Sequence, residues 1–422
     1  MQKKLALFAT IFGNIFEYYD FVVFGLLLIY IRNLFLPELN NELSYILSLL
    51  LFSIGSIARP LGAYILGKIG DSKGRRICII YSMSILTIAT FLIGCLPTYE
   101  QAGIISPILL ILLRLMQNFS VSIEQVGGAL FLIEYFSFKN KYLLTSLIFS
   151  SVYLGATVGS IVVYIIVSYF GSSQLLNWAW RIPFWLSLPL GVTLCLIRLK
   201  LSESKVFLEY NTTKDNNPVK QINYRNIINS FCSFISLAVM SYFSVIFIPN
   251  LISFNYALDN KYNLLSSSFN NILIFLTAII FGYYIDQNKI NGKVLLKYSL
   301  IGNILLALPI FILINNKSFF YVITAQLLFS ILLAMQSSSI LANIYQQYHL
   351  QNRFFILNMG FNIAMTLFGG FSPFVAAYLN AKMHNLAPAL YVILTSLITY
   401  QIIFYNNTKQ RIDNKELHYE YS

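Results

Sequence analysis

The sequence has few charged residues and few residue types that do catalysis or bind metals. Only 10% of its 422 residues are Asp, Glu, Lys or Arg, against about 25% in soluble domains. The three histidines are scattered, and the four cysteines lie inside apolar stretches without CxxC spacing, so neither a metal site nor a disulfide framework is indicated. The sequence shows no nucleotide-binding loop and no catalytic triad. An enzyme is therefore not expected, and no cofactor or metal is predicted.

Apolar residues make up 57% of the chain and recur in blocks of roughly 20, the length that crosses a bilayer. The first block runs on without a small-residue cleavage site, which indicates an uncleaved span. The pattern predicts an all-α polytopic membrane protein. Its twelve expected spans cover residues 5–30, 44–66, 77–97, 105–133, 143–170, 181–199, 227–250, 264–285, 294–314, 319–345, 354–379 and 386–405.

The longest polar interval between spans, around residues 200–225, divides the chain into two groups of six spans. A faint repeat supports the division, because Gly282 to Asp286 echoes Gly67 to Asp71 in spacing, as parallel repeats would require. The expected parts are an N-terminal half (1–200), a cytoplasmic central loop (201–225), a C-terminal half (226–405) and a short tail (406–422).

Lysines and arginines in the loops explain the net charge of +12. With the N-terminus inside, 21 of the 28 Lys and Arg residues fall on cytoplasmic segments, which places both termini in the cytoplasm. Basic loops that face an anionic leaflet account for this charge, so no nucleic-acid partner is expected. Composition hints at a bacterial source, and we expect a multi-pass protein of the bacterial inner membrane.

A compact basic turn separates the second and third spans. Its pattern, G-x3-D-x2-G-R-R, follows Arg59-Pro-Leu-Gly62. Glycine allows two helix ends to approach and the backbone to turn with positive φ, and one aspartate among cations can hold a neighbouring helix. Glu134, at the cytoplasmic end of span four, is expected to pair with the arginines of this turn. The predicted cytoplasmic gate comprises Gly67, Asp71, Gly74, Arg75, Arg76 and Glu134.

Two acids lie within the first span, which is otherwise apolar. Glu17 and Asp20 are three residues apart and share a helix face, with Asn14 beside them. Each charge near the bilayer centre costs about 2.5–3.5 kcal/mol, so a lipid-facing position is not expected. Either they act in transport or they form a clamp between helices.

Span four carries five polar residues. At 100° per residue they fall on one stripe about 120° wide, which we expect to face a water-filled cavity. The stripe consists of Arg114, Gln117, Asn118, Glu124 and Gln125. A buried arginine can bind a substrate carboxylate or tune the pKa of a nearby acid. The alternative is a structural pair of Arg114 with an acid. In span eleven, Asn358, Asn362, Gly369, Gly370 and Pro373 indicate a polar face and a flexible point.

Several motifs together resemble the metabolite:proton symporter family of the major facilitator superfamily, closest to its proline/betaine and dicarboxylate members. They are N-x2-E-x2-D-F in span one, the RPLG and GxxxDxxGRR turn, R-x2-Q-x-F-S-x3-E in span four, Trp180-Arg-Ile-Pro-Phe184, Arg198 to Glu203 with Phe207, and Arg353 with Phe361 to Gly370. The chain departs from the family where Gln117 to Glu124 lacks three glycines. Its short tail also lacks the heptad coiled coil of the osmosensory members.

The resemblance implies a major facilitator fold that alternates between inward and outward states around a midplane site. It implies proton-coupled symport of a small carboxylate-bearing solute, by a protein whose partners are that solute, a proton and the lipid bilayer; a monomer is expected. The proton-coupling candidates are Glu17, Asp20 and Glu124, and the substrate-binding candidates are Arg114, Gln117, Asn14 and Asn362. Two alternatives stay open: an uncoupled facilitator, and a degenerate paralogue that senses or scaffolds without transport.

Overall fold

The computed structural model describes residues 2–35, 55–136, 138–212, 223–249, 251–252, 260–316 and 318–406. Within these ranges the chain is built from helices and contains no β-strand. Eleven of the described segments are long and apolar enough to cross a membrane. The predicted second span is represented by a helix from Ala58, because its first part lies outside the described residues. The middle of the predicted central loop and nearly all of the predicted tail also lie outside them.

Among the described residues, nine α-helices precede the predicted central loop. They are α1 (Gln2–Phe35), α2 (Ala58–Lys73), α3 (Arg75–Cys95), α4 (Tyr99–Ala102), α5 (Ile105–Val121), α6 (Gln125–Tyr135), α7 (Lys141–Asn177), α8 (Ile182–Trp185) and α9 (Ser187–Leu199). A short helix, α10 (Lys205–Thr212), follows α9. The remaining helices are α11 (Tyr224–Tyr242), α12 (Asn260–Asp286), α13 (Gly292–Asn315), α14 (Phe319–Ile344), α15 (Leu350–Ala364), α16 (Ser372–Lys382) and α17 (Ala387–Tyr400).

Local sequence explains several helix ends. The side chain of Asn291 accepts backbone N–H bonds from Lys293 and Val294 and so caps α13. Asn223 does the same for α11 through Arg225. Gly74 separates α2 from α3 with a φ of +114°, a conformation that L side chains rarely adopt. The predicted positive-φ turn at this glycine is confirmed.

Span four was expected to be one helix, and this prediction is wrong. The helix ends at Val121, turns through residues 122–124 and restarts as α6 at Gln125. The interruption is short, because Ser122 and Glu124 keep right-handed helical backbone angles. In span eleven, wider π-helical turns from Met365 to Gly370 lie between α15 and α16, at the expected flexible point.

Several helix pairs join the two sides of α10, and two of them contact most extensively. Helix α2 packs against α15, and α7 packs against α12. At the first contact, a Cβ on Gly67 would lie 3.2 Å from the Cα of Phe355, so the missing side chain permits the close approach. Large apolar side chains such as Ile88 and Leu305 are exposed on the outer faces, while ionised side chains are buried between helices. This inside-out arrangement suits a lipid environment.

Candidate functional site

A small cavity lies among α1, α2 and α5, and four ionisable side chains line it. They are Glu17, Asp20, Arg59 and Arg114, together with Phe21, Gln117, Asn118 and Val121. All four charged groups are at most 4% exposed. Two acids and two arginines give this cavity a balanced charge, which lowers the cost of burying each group.

The first acid of the cavity pairs with an arginine from α2. Glu17 Oε1 lies 3.4 Å from an Nη atom of Arg59, and Arg59 Nε donates to Asn118 Oδ1 at 3.2 Å. The sequence placed Arg59 within a span without giving it a role. The signal was present, because an arginine inside an apolar helix requires a buried acceptor. Glu17 Oε2 has no hydrogen-bond partner among the described residues.

The second acid is held by the polar face of α5. Gln117 Nε2 lies 2.9 Å from both carboxylate oxygens of Asp20, and Gln117 Oε1 accepts from Arg114 at 2.9 Å. The Arg114 guanidinium lies 3.9 Å from the Asp20 carboxylate and stacks over Phe24, 3.9 Å from the ring centroid. The structure therefore brings Arg114 and Gln117, which the sequence placed on one helix face, together with Asp20 of α1.

Glu124 lies outside this cavity, and the single polar stripe through it is a wrong prediction. Its carboxylate forms a two-point ion pair with Arg198, at 2.7 and 2.8 Å, and accepts a hydrogen bond from Ser82. Both charged side chains are fully buried. Ser82 belongs to α3 and Arg198 to α9, so the Glu124 carboxylate contacts these two helices. From the sequence, Arg198 was expected on a cytoplasmic segment, because it stands at the basic end of its span.

The two asparagines predicted to bind substrate contact backbone instead of lining the cavity. Asn14 Nδ2 donates to Thr10 O at 3.0 Å. Asn362 Nδ2 donates to Ser122 O in the break of span four, and to Asn358 O at 2.8 Å. Asn362 therefore links α15 to the turn that separates α5 from α6. Their Oδ1 atoms are buried without a hydrogen-bond partner in the described part of the chain.

The predicted gate residues meet at the ends of α2, α3 and α6. Asp71 Oδ2 accepts the backbone N–H of Phe355 at 2.9 Å, which joins α2 to α15. Arg75 Nε lies 3.1 Å from Glu134 Oε2, and its guanidinium also reaches the Leu350 carbonyl at 3.4 Å. The expected pairing of Glu134 with the turn arginines is therefore formed by Arg75.

Arg76 does not share that pair, which corrects its expected contact with Glu134. Its backbone N–H donates to Glu203 Oε2 at 3.0 Å, and its guanidinium donates to the Leu199 carbonyl at 2.6 Å. Glu203 thereby caps the start of α3. Burial raises the pKa of Glu203, and the N–H groups of Ser204 and Arg76 partly offset this shift. In the sequence, Glu203 was recognised only as the last residue of the motif that begins at Arg198.

A second aspartate makes a contact similar to that of Asp71. Asp286, at the end of α12, accepts the backbone N–H groups of Tyr142 at 3.3 Å and Leu143 at 2.7 Å. These are the first residues of α7, where helix N–H groups lack partners of their own. The repeat in the sequence identified this position but assigned it no contact.

Comparisons with known proteins agree with this architecture. Residues 5–223 match the family model described as sugar (and other) transporter. The chain is 29% identical over 411 residues to a putative proline/betaine transporter of Staphylococcus aureus strain COL, with 95% of this chain and 88% of that protein covered. It is 27% identical over 412 residues to the proline/betaine transporter of Escherichia coli K12, with coverages of 94% and 82%. A solved structure of a major facilitator superfamily proton:xylose symporter aligns with a TM-score of 0.78 at 13% identity, over 96% of this chain and 95% of that one.

Proposed function

The chain belongs to the sugar (and other) transporter family of the major facilitator superfamily, and we propose that this multi-pass membrane transporter carries a small zwitterionic carboxylate together with a proton. Transport is its activity, and it is not an enzyme. Relatives with the names proline/betaine transporter cover nearly the whole chain. Proton coupling, the solute and the site residues are the parts that we propose.

The single observation that carries the choice of solute is the charge balance of the cavity. Glu17 and Asp20 stand opposite Arg59 and Arg114 within one lining. A solute with one carboxylate and one ammonium group preserves that balance in a site without bulk water. A dicarboxylate would bring two negative charges to a site that already holds two acids. We therefore favour the zwitterion over the di- or tricarboxylate alternative.

Arg114 is the proposed anchor for the carboxylate, because a guanidinium can form two parallel bonds with it. Gln117 orients that guanidinium through its 2.9 Å hydrogen bond. Glu17 and Asp20 are the proposed proton-coupling residues. Glu124 is the weaker candidate of the three, because both its oxygens are bonded to Arg198. Asn14 and Asn362 would act indirectly, through the backbone that they hold.

Alternating access requires the two groups of helices to rock about this cavity, with the halves at 1–200 and 226–405 as the moving parts. The contacts of Asp71 and Arg75 with α15 would hold the cytoplasmic side closed, and both termini would face the cytoplasm. Releasing these contacts would open the site inward.

The test is uptake into vesicles that contain the purified protein. Labelled proline, glycine betaine and 2-oxoglutarate are offered separately, with and without a pH gradient. We expect accumulation of a zwitterion that requires the gradient. Uptake that equilibrates without accumulation would identify an uncoupled facilitator. Binding without uptake of any of the three would favour the sensor or scaffold.

A further inference from the structure

The buried carboxylate of Glu17 has one oxygen in use and one available. Oε1 lies 3.4 Å from Arg59, while Oε2 has no hydrogen-bond partner among the described residues. The residue is 2% exposed and lines the central cavity. A buried acceptor that lacks a donor costs about 1–3 kcal/mol. A cationic ligand in the cavity would remove that cost.

One aromatic ring lines the same cavity, and two more pack against it. Phe21 lies one helical turn beyond Glu17 on α1 and lines the same cavity. Tyr242 of α11 packs edge-on against Phe21, with ring centroids 5.9 Å apart and an interplanar angle of 82°. Tyr18 packs against Phe21 from the other side at 5.8 Å. The faces of such rings attract cations, and aromatic cages bind quaternary ammonium groups in this way.

Tyr242 is the member of this group that comes from the C-terminal helices. It ends α11, and the backbone continues in a wider π-helical turn from Phe243 to Phe247. Gly369 lies in the second π-helical segment, and a Cβ there would lie 2.7 Å from the Tyr242 ring. The glycine therefore makes room for the ring. Short π-helical segments occur frequently at functional sites.

We propose that Glu17 Oε2, Phe21 and Tyr242 form the subsite for the ammonium group of the transported zwitterion. This inference rests on the proposed function, in which Arg114 holds the carboxylate of the same solute. The subsite would join both groups of helices, since α1 supplies two of its members and α11 the third. A bound solute would therefore connect the parts that move.

One consequence concerns the proton. Glu17 can attract an ammonium group only in its ionised form, so it cannot carry a proton and hold the solute at once. In the loaded state Asp20 is then the acid that remains available for the coupled proton. Its carboxylate is held by Gln117 and lies 3.9 Å from Arg114, away from the proposed ammonium position.

The two zwitterions differ in how they would use the subsite. The trimethylammonium group of glycine betaine has no N–H donor, so it depends on the ring faces. The ring nitrogen of proline carries two N–H donors that can bond Glu17 Oε2. Loss of one ring should therefore weaken betaine more than proline.

The experiment measures competition for uptake by glycine betaine and by proline, with wild-type protein and variants in vesicles. In Tyr242→Leu and Phe21→Leu we expect the apparent affinity for betaine to fall about tenfold, the scale of a desolvated cation–π contact. The affinity for proline should fall less than about threefold on the same reasoning. Tyr242→Phe keeps the ring and should behave as wild type. Phe12→Leu, which replaces a half-exposed ring on the same helix, is the matched control.

The outcomes separate the subsite from the function on which it rests. If Tyr242→Leu leaves the ratio of the two affinities unchanged, whether both fall or neither does, the subsite is wrong while zwitterion transport stands. If the wild-type protein takes up dicarboxylates and neither zwitterion, the proposed function fails and the subsite fails with it. Tyr242→Phe removes only the hydroxyl, so it tests whether the ring face is sufficient. Loss of activity in this variant would show that the hydroxyl, and not the ring face, is required, and would contradict the subsite.

Discussion

Asp71 and Asp286 make the same kind of contact at two of the places where the N-terminal and C-terminal helices meet. Asp71 at the end of α2 accepts the N–H of Phe355 in α15, at 2.9 Å. Asp286 at the end of α12 accepts the N–H groups of Tyr142 and Leu143 in α7, at 3.3 and 2.7 Å. Each carboxylate thus crosses from one group of helices to backbone donors of the other. Two such contacts can hold one side of a transporter closed.

Replacing Asp71 by Asn should slow transport strongly while leaving insertion into the membrane intact. The amide retains one acceptor oxygen but loses the charge, and charge-assisted bonds to backbone N–H groups contribute about 1.5–3 kcal/mol. Uptake by vesicles of matched protein content measures the effect. Ser72→Ala is the control, because the Ser72 hydroxyl bonds only within its own helix, to Lys68 and Ile69 carbonyls. Uptake equal to wild type in Asp71→Asn would show that no latch exists there.

Asp286→Asn should slow transport in the same direction, and combination with Asp71→Asn should be worse than either change alone. The reason is that both contacts hold the same closed arrangement, so each partly covers the loss of the other. Solvent accessibility of a cysteine placed at the Leu350 end of α15 would report opening directly. Gln287→Asn, one residue away and exposed, is the control. A double variant no slower than Asp71→Asn would mean that Asp286 only caps α7.

Much of the fold could be predicted because the bilayer imposes length and polarity on every span. The glycine turn at Gly74 and the partnership of Arg75 with Glu134 followed from residues close to motifs that have a physical meaning. The shared face of Arg114 and Gln117 also followed, because regular helix geometry fixes which side chains of one helix lie on the same side.

The other features of the site could not be predicted, because they depend on three-dimensional packing that a helical projection does not contain. The helix is interrupted at residues 122–124, and the sequence offers no proline or glycine there to signal it. Arg198 stands where the basic end of a span is expected, so its burial against Glu124 was not apparent. The sequence does not distinguish Tyr242 from its apolar neighbours, because its proposed role in the ammonium subsite depends on Phe21 and Gly369, which lie far away in the chain.

Neutralising the acids should separate coupling residues from structural ones. Asp20→Asn should lose accumulation driven by a pH gradient, while exchange of solute at equal pH survives. Glu17→Gln should lose accumulation and also weaken exchange, because Glu17 Oε2 is the proposed ligand of the ammonium group. Glu124→Gln should instead lower the yield of folded protein, because it leaves buried Arg198 without its two-point partner. Accumulation, exchange and thermal stability in detergent are measured for each variant. If Glu17→Gln and Asp20→Asn both still concentrate solute under a gradient, coupling lies elsewhere or is absent.

Glu203 predicts a pH dependence of stability. Burial raises its pKa in the folded protein, so folding favours the protonated form. The stabilisation is therefore present at low pH and is lost as the pH rises through the raised pKa. Glu203→Gln removes this titration. We expect the Tm of wild type, relative to that of the variant, to fall as the pH rises above the ordinary glutamate pKa of about 4.3. A difference that stays constant or grows as the pH rises would contradict the assignment.

Arg114 has two alternative roles: an anchor for the solute, or a strut, which here means a structural partner that neutralises a buried acid. As an anchor it binds the carboxylate with its planar guanidinium, so Arg114→Lys, which keeps the charge but loses the fork, should weaken binding by about 2 kcal/mol. Arg114→Ala should be worse, because it also leaves Asp20 without a nearby cation. Binding of labelled solute to protein in detergent measures both variants.

The strut alternative can now be tested with one partner, since Glu124 is occupied by Arg198 and Asp20 is the acid near Arg114, at 3.9 Å. If Arg114 serves only to neutralise Asp20, then Arg114→Ala combined with Asp20→Asn should restore binding, because neither buried charge remains uncompensated. If Arg114 holds the solute, the double variant should bind as weakly as Arg114→Ala, since the guanidinium is still missing. Asp20→Asn alone is the control, and under the anchor hypothesis it should retain solute binding. Recovery of the double variant to near wild-type affinity would rule out the anchor.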